Sequence, residues 1–212
     1  MKRLVSSDAS SFPVFLVFKR LLRSALISVI LLIWKKVFIR EKSEGNKMFR
    51  EMRRNKQSLS EEEVKEVLER RTSGVLACLG DDGYPYAVPV SYIYFNGKIY
   101  FHSAKTGHKI DAIEKYPKVS FTVIDEDTVV SEKYTTYFRS VIAFGKARIT
   151  EGVEMVQAFI ALTEKYSGNQ PEEARKREVA EGVSHAYVIA IDVEHITGKE
   201  AKDYAMAKRH QE

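Results

Sequence analysis

The sequence has a single cysteine, a single tryptophan and five prolines in 212 residues. A lone Cys78 excludes an internal disulfide framework and any cysteine-cluster metal site. It stands in the apolar run "GVLACLG", where a buried structural thiol is expected rather than a reactive one. There is no Gly-x-Gly-x-x-Gly loop, so a stable dinucleotide site of that kind is not expected. Internal repeats and low-complexity tracts are absent too. What remains suits one globular domain with a proper core and some extra length.

The extra length is at the start, and its charge sets it apart. Residues 1–47 hold 10 Lys and Arg against 3 Asp and Glu, a net of +7. Residues 48–212 hold 24 against 26, a net of −2. The basic pI of about 9.1 therefore belongs to the head, and no nucleic-acid face is indicated for the body. The longest uncharged run in the head, "SALISVILLIW", has 11 residues, whereas a spanning helix needs roughly 20. Lys19, Arg20, Arg23, Lys35 and Lys36 break it without gathering on one helical face, so an interfacial helix is poorly supported. No small-residue cleavage site follows the run. Three readings stay open: a short membrane-contacting anchor with snorkelling cations, an uncleaved leader, or an extension foreign to the native protein. The last is favoured, because Met48 opens "MFREMRRNKQSLS" like a natural start. A cytoplasmic location is expected for the body.

Within the body, "SLSEEEVKEVLERR" predicts a helix with Ser60 and Glu63 as a capping box and Val64, Val67 and Leu68 as its apolar stripe. Strands are expected at Gly74–Leu79, Tyr86–Phe95 and Lys98–His102, the last two joined by the hairpin signal Asn96–Gly97. "DDGYP" is a turn. "AKTGHKIDAIEKYP" reads as a helix closed by Pro117, "KVSFTVIDE" and "YTTYFRSVIAFGKARIT" as strands. Two helices follow: "GVEMVQAFIALTEKYS", with Val153, Val156, Phe159 and Ile160 on one face, and "PEEARKREVAEG", opened by Pro171. "HAYVIAIDVEHITG" is the closing strand. Six strands, mostly joined by hairpins, indicate an α+β, mainly antiparallel β-barrel with peripheral helices. Tyr86–Phe95 is apolar on both faces, so its outer face must meet a helix, a partner subunit or a flat ligand. Pro89 hints at a bulge or broken pairing within it.

The junction "YFHSAKTGHK" has the strongest chemical character in the chain. It ends a strand and opens a helix, whose first N–H groups are unpaired and partly positive. Ser103 and Thr106 add hydroxyls, Gly107 lets a ligand approach, and His108 and Lys109 add charge. This suits a phosphate monoester, although solvated lysines and a Ser103 cap would read the same way. His102 and His108 lack a third ligand nearby, so a metal site is not expected.

Residues 48–199 resemble the FMN-binding split-barrel superfamily that includes pyridoxamine 5′-phosphate oxidase, and within it the nitroimidazole-resistance (Nim) branch. The carriers are "MRRNKQ", "GYPYAVPVSYIY", "GKIYFHSAKTGHKIDAIEKYPKVSFTV", "YFRSVIAFGKARI" and "HITGKE". The resemblance implies a six-stranded split barrel, a homodimer and FMN at its interface. By position, Val88, Pro89, Val90 and Ser91 would lie along the isoalloxazine ring. His102 and Ser103 would line the strand end, and His108 and Lys109 would hold the phosphate. Ser140 and Val141 match the strand that reaches the neighbouring subunit's flavin. The oxidase's C-terminal substrate-gripping Arg-Leu-His-Asp type segment has no counterpart in "EAKDYAMAKRHQE", so pyridoxamine phosphate oxidation is disfavoured.

The expected function is an FMN-dependent reductase of a small organic acceptor, with His102 as proton donor, since imidazole changes charge near neutral pH. His102 could equally serve only as a hydrogen-bond partner. A non-catalytic FMN carrier or sensor, and a haem- or deazaflavin-binding relative, are the alternatives. Removing residues 1–47 is expected to leave folding, dimerisation and flavin binding intact. Thermal unfolding of a chain beginning at Met48 should match the full chain within about a few degrees, and a much lower melting temperature would show that the head packs on the body.

Overall fold

A computed structural model describes residues 49–209, and the basic head with all three of its readings lies outside them. The first long element is helix α1 (Glu61–Arg70). Its capping box forms as the sequence demands: the Ser60 hydroxyl accepts from the Glu63 N–H, and the Glu63 carboxylate accepts from the Ser60 N–H at 2.9 Å. Such a cap contributes about 1 kcal/mol. Val64, Val67 and Leu68 are the buried side of the helix.

Seven strands follow: β1 (Ser73–Leu79), β2 (Pro85–Ser91), β3 (Ile93–Phe95), β4 (Lys98–Ala104), β5 (Lys118–Val130), β6 (Thr135–Ile149) and β7 (Ala186–Glu200). Helix α2 (His108–Lys115) follows β4, α3 (Gly152–Ser167) and α4 (Glu172–His185) lie between β6 and β7, and α5 (Lys202–Arg209) ends the described chain. All pairings are antiparallel, in the order β2–β1–β5–β6–β7–β4–β3. The sheet is not closed.

The expected count was six strands, because Tyr86–Phe95 reads as one. The structure breaks it at Tyr92. Before the break the chain pairs with β1, with Val88 opposite Leu76; after it the chain pairs with β4, with Ile93 opposite Tyr100. These partners border opposite edges of the sheet. One residue thus joins the two edges, and the sheet must curl on itself to allow it. Pro89 does not cause the break, since β2 keeps register through it, opposite Val75. An edge strand tolerates a missing N–H.

Two apolar clusters result. Leu76, Phe101, Phe121, Val141 and Ile191 fill the barrel and receive the α1 stripe. On the outside of β4 and β7, Tyr100, Val188 and Ala190 pack against Ala158, Phe159 and Leu162 of α3. Of the α3 face expected from sequence only Phe159 is buried here. Val153 is 73% exposed and Ile160 52%. The helix is apolar on two sides that share Phe159, so spacing alone selects neither, and contact with β4 and β7 favours the side carrying Ala158 and Leu162. Cys78 is buried, as expected, and burial pushes its thiol up.

Charged groups fix the rim. The register shifts between Ile124 and Glu126, leaving Asp125 as the extra residue of a bulge. Its buried carboxylate takes hydrogen bonds from Arg70 Nε at 2.9 Å and Arg71 Nε at 2.6 Å. Burial pushes this carboxyl up, but the two guanidinium groups together outweigh it and hold it below its ordinary value. A second network ties α3 to three strands. Arg148 of β6 donates to both Glu154 oxygens at 2.8 Å and to Asp192 at 2.7 Å, and Lys98 reaches Asp192 at 2.9 Å. Tyr100 donates to Glu154 at 3.0 Å.

Hydrogen bonds from Arg148 come first among the causes that bring the Glu154 carboxyl from 4.5 to about 2. Because the folded value is depressed, this contribution to stability is complete above the ordinary value of 4.5 and is lost as pH falls towards 2. The urea midpoint should drop across that window. Glu154→Gln should lower the midpoint at neutral pH and shrink the acid-induced drop. An unchanged pH profile in the variant would rule out this carboxylate as the source.

Candidate functional site

The joint at Tyr92 opens a gap. β2 has β1 on one side only, so alternate peptides of β2 turn their N–H and C=O groups to a free edge. From Tyr86 to Ser91 this edge runs about 17 Å by the ordinary strand rise. One end of it meets the start of α2, the other a cleft beneath α3 and α4.

At the first end, the His108 ring stacks on Tyr86 with centroids 4.2 Å apart, and its Nε2 lies 3.7 Å from an Asp81 oxygen. These contacts hold the first turn of α2 against β2. Gly107 is the N-cap residue at φ +125°, a backbone shape that disfavours any side chain, and a Cβ there would meet nothing within 4 Å. No side chain caps the helix, so its first N–H groups keep their partial positive charge. Lys109 is half-buried in that turn, and Thr106 is exposed just before it. The Ser103 residue is 4% exposed, and its Oγ has no hydrogen-bond partner among the described residues. An uncapped helix start with a lysine in its first turn fits a phosphate monoester, and the buried Ser103 hydroxyl four residues before the cap has a hydrogen bond to give.

At the other end lies a cleft of about 570 Å³, lined by Ser91, His102, Phe159, Leu162, Tyr166 and Arg175 among others. That volume is in the range of small-molecule sites. His102 is exposed into it, its ring 6.0 Å from that of Phe159. Gly182 of α4 lets the helices close on this ring, since a Cβ there would come within 2.3 Å of Phe159. Arg175 is engaged, donating to the Gly168 carbonyl at 2.6 Å.

The expected site residues are thus divided by strand alternation. Ser103 shares the barrel side of β4 with Ile99 and Phe101, whereas His102 shares the outer side with Tyr100. Val88 and Val90 turn inward onto the core, while Pro89 and Ser91 are exposed on the other face. On β6, Ser140 is half-buried and Val141 is wholly buried in the core of its own barrel. Sequence reasoning did not find Phe159, Tyr166 or Gly182, because α3 and α4 carry no local signal that they cover a site.

The sequence profile described as pyridoxamine 5′-phosphate oxidase matches residues 60–200. The chain belongs to this family. It is a family of flavin-binding split barrels, and the matched stretch takes in both ends of the β2 edge. Solved structures with the same fold include a conserved hypothetical protein from Mycobacterium tuberculosis, 23% identical, with TM-score 0.63 over 73% of this chain and 92% of that one. A putative 5-nitroimidazole antibiotic resistance protein from Bacteroides thetaiotaomicron is 21% identical, with TM-score 0.56 over 68% and 86%. An FAD-binding protein from Mesorhizobium loti is 25% identical, with TM-score 0.50 over 68% and 97%. No curated protein matches the sequence. Among the described residues no helix is long and apolar enough to cross a membrane.

The residues present fit a flavin carrying a terminal phosphate. Ser103, Lys109 and the start of α2 would hold the phosphate, and the free edge of β2 would face the ring. If Lys109 holds the phosphate, Lys109→Ala would remove one charge-assisted hydrogen bond, worth roughly 1.5–3 kcal/mol. FMN affinity, measured by fluorescence titration, should fall on the order of tenfold or more, while riboflavin affinity changes little. Equal losses for both ligands would place the phosphate elsewhere.

Proposed function

We propose that this chain is an FMN-dependent reductase that works as a homodimer on a small organic acceptor. One observation carries the reading: the free edge of β2 runs from an uncapped helix start bearing Lys109 to a cleft with an exposed imidazole, and buried Ser103 lies on the other face of β4 from that imidazole. One cation at one helix start suits a single phosphate. The resemblance to a nitroimidazole resistance protein supports a nitro-bearing ring as one acceptor.

A bound flavin would supply the electron pair. The protein's own share is binding, orientation and a proton. Lys109 and the α2 start offset the phosphate charge, and Phe159 and Leu162 keep water from one side of the cleft. His102 would deliver a proton from a ring N–H to the acceptor. For a nitro group the balance is two electrons and two protons, giving a nitroso group and water.

The dimer reading is supported by exposed apolar groups on the sheet. Phe138, Ser140 and Ile142 share one side of β6, and Ile142 is exposed. Ala87 and Pro89 are likewise exposed on β2. Such groups are what a partner subunit covers.

The test is steady-state turnover of NADPH and NADH with a nitroaromatic acceptor, using FMN-loaded protein whose mass in solution is checked by sedimentation. A dimer that consumes the nicotinamide in proportion to acceptor reduced is expected. His102→Gln should lower kcat by about a hundred- to ten-thousandfold, the usual scale of a general acid, with FMN affinity unchanged. Loaded protein that never turns over with any acceptor would instead indicate a carrier or sensor.

A further inference from the structure

The break at Tyr92 is filled by a side chain from far along the chain. Tyr166 of α3 brings its phenol to the main chain there. Its oxygen accepts from the Tyr92 N–H at 2.8 Å. Its proton is within reach of the Tyr92 carbonyl at 2.8 Å and of the Thr72 carbonyl. Without it, the Tyr92 N–H has only a long 3.3 Å bond to Thr72. Burial of this hydroxyl pushes its proton affinity up, which keeps it a neutral donor. Next to it, Lys165 lies over the Tyr92 ring at 4.7 Å.

The ring of Tyr166 does something different from its hydroxyl. The residue is 40% exposed and forms part of the cleft wall with Ser91, His102 and Phe159. Here the polar end sits in the sheet, one residue beyond the free edge of β2, and the apolar body faces the cleft.

We propose that Tyr166 is a positioning residue for the flavin. Its hydroxyl fixes the direction in which β2 leaves the joint, and so the peptides of Val90 and Ser91 that face the ring. Its ring bounds the acceptor at the same time. Filling the cleft and loading the flavin are thereby coupled through one phenol. This role rests on the β2 edge being the flavin site.

Tyr166→Phe keeps the ring, the volume and the cleft wall, and removes only the hydroxyl. Hydrogen exchange in flavin-free protein reads the joint directly. The Tyr92 amide should exchange about tenfold faster in the variant. In the loaded protein, FMN should dissociate about five- to tenfold more readily, and the flavin reduction potential should move from its wild-type value. Binding is reciprocal, so FMN added to unaltered protein should slow exchange at Tyr92 by a similar factor, a result that does not depend on the variant folding. Tyr166→Ala, which also opens the cleft wall, should in addition raise KM for the acceptor more than it lowers kcat.

Faster exchange with FMN affinity and potential both as in the wild type would show that the hydroxyl only holds the fold, and would overturn the proposal. Unchanged exchange in the variant would show that the bond is not made, with the same consequence. Wild-type protein that takes up no FMN would instead overturn the flavin reading, and this role would fall with it.

Discussion

The architecture depends on one constraint: a single residue, Tyr92, joins the two edge strands of one sheet. β2 and β3 are adjacent in sequence yet stand at opposite ends of the strand order. The sheet that satisfies both pairings is rolled until its two edges come together at Tyr92, while remaining open elsewhere. The joint is therefore well secured. The Tyr92 side chain is wholly buried, its ring meets Phe121 edge-on at 5.0 Å, and its hydroxyl donates to the Leu68 carbonyl at 2.9 Å. Away from the joint, the edges are free to part. The gap that forms follows from the pairing and needs no dedicated loop to build it.

The rest of the chain finishes the two ends of that gap. α2 crosses one end and presents an uncapped helix start, held by the stack of His108 on Tyr86. The pair α3 and α4 covers the other, anchored by the Arg148 network to three strands. The Asp125 bulge lies at the far rim, where α1 grips β5 through Arg70 and Arg71. Asp125 is buried, but Arg70 and Arg71 are 42% and 45% exposed, so water screens these pairs and they hold position more than they add stability. Nearby, buried Glu200 meets Arg139 at 3.1 Å and Lys208 of α5 at 2.8 Å, so the last helix is tied to the end of β7.

Much of this was legible wherever local rules decide. Ser60 and Glu63 marked a helix start, Asn96–Gly97 a hairpin, and Pro117 a helix end. All three follow from backbone chemistry within four residues. The uncapped start of α2 was legible for the same reason, since Gly107 and Lys109 belong to one strand-to-helix turn. The break at Tyr92 was not, because the apolar and β-branched pattern of Tyr86–Phe95 runs straight through it. Only a contact 74 residues away, from Tyr166, distinguishes that position. α5 was missed because "EAKDYAMAKRHQE" is polar and reads as a tail, although Ala205 is buried and Tyr204 donates to Glu126 at 2.6 Å. The opposite placement of His102 and Ser103 was available from strand alternation, and the resemblance to a motif obscured it.

The central claim is that the gap between β2 and β4 binds a flavin through a single phosphate. The absorption spectrum of the purified, untreated protein, with mass identification of whatever heat denaturation releases, tests it most directly. The account predicts the two visible bands of an oxidised flavin and the mass of FMN, at close to one equivalent per chain. A Soret band with released haem, or a deazaflavin, would contradict it. So would protein that is colourless and stays so after incubation with FMN.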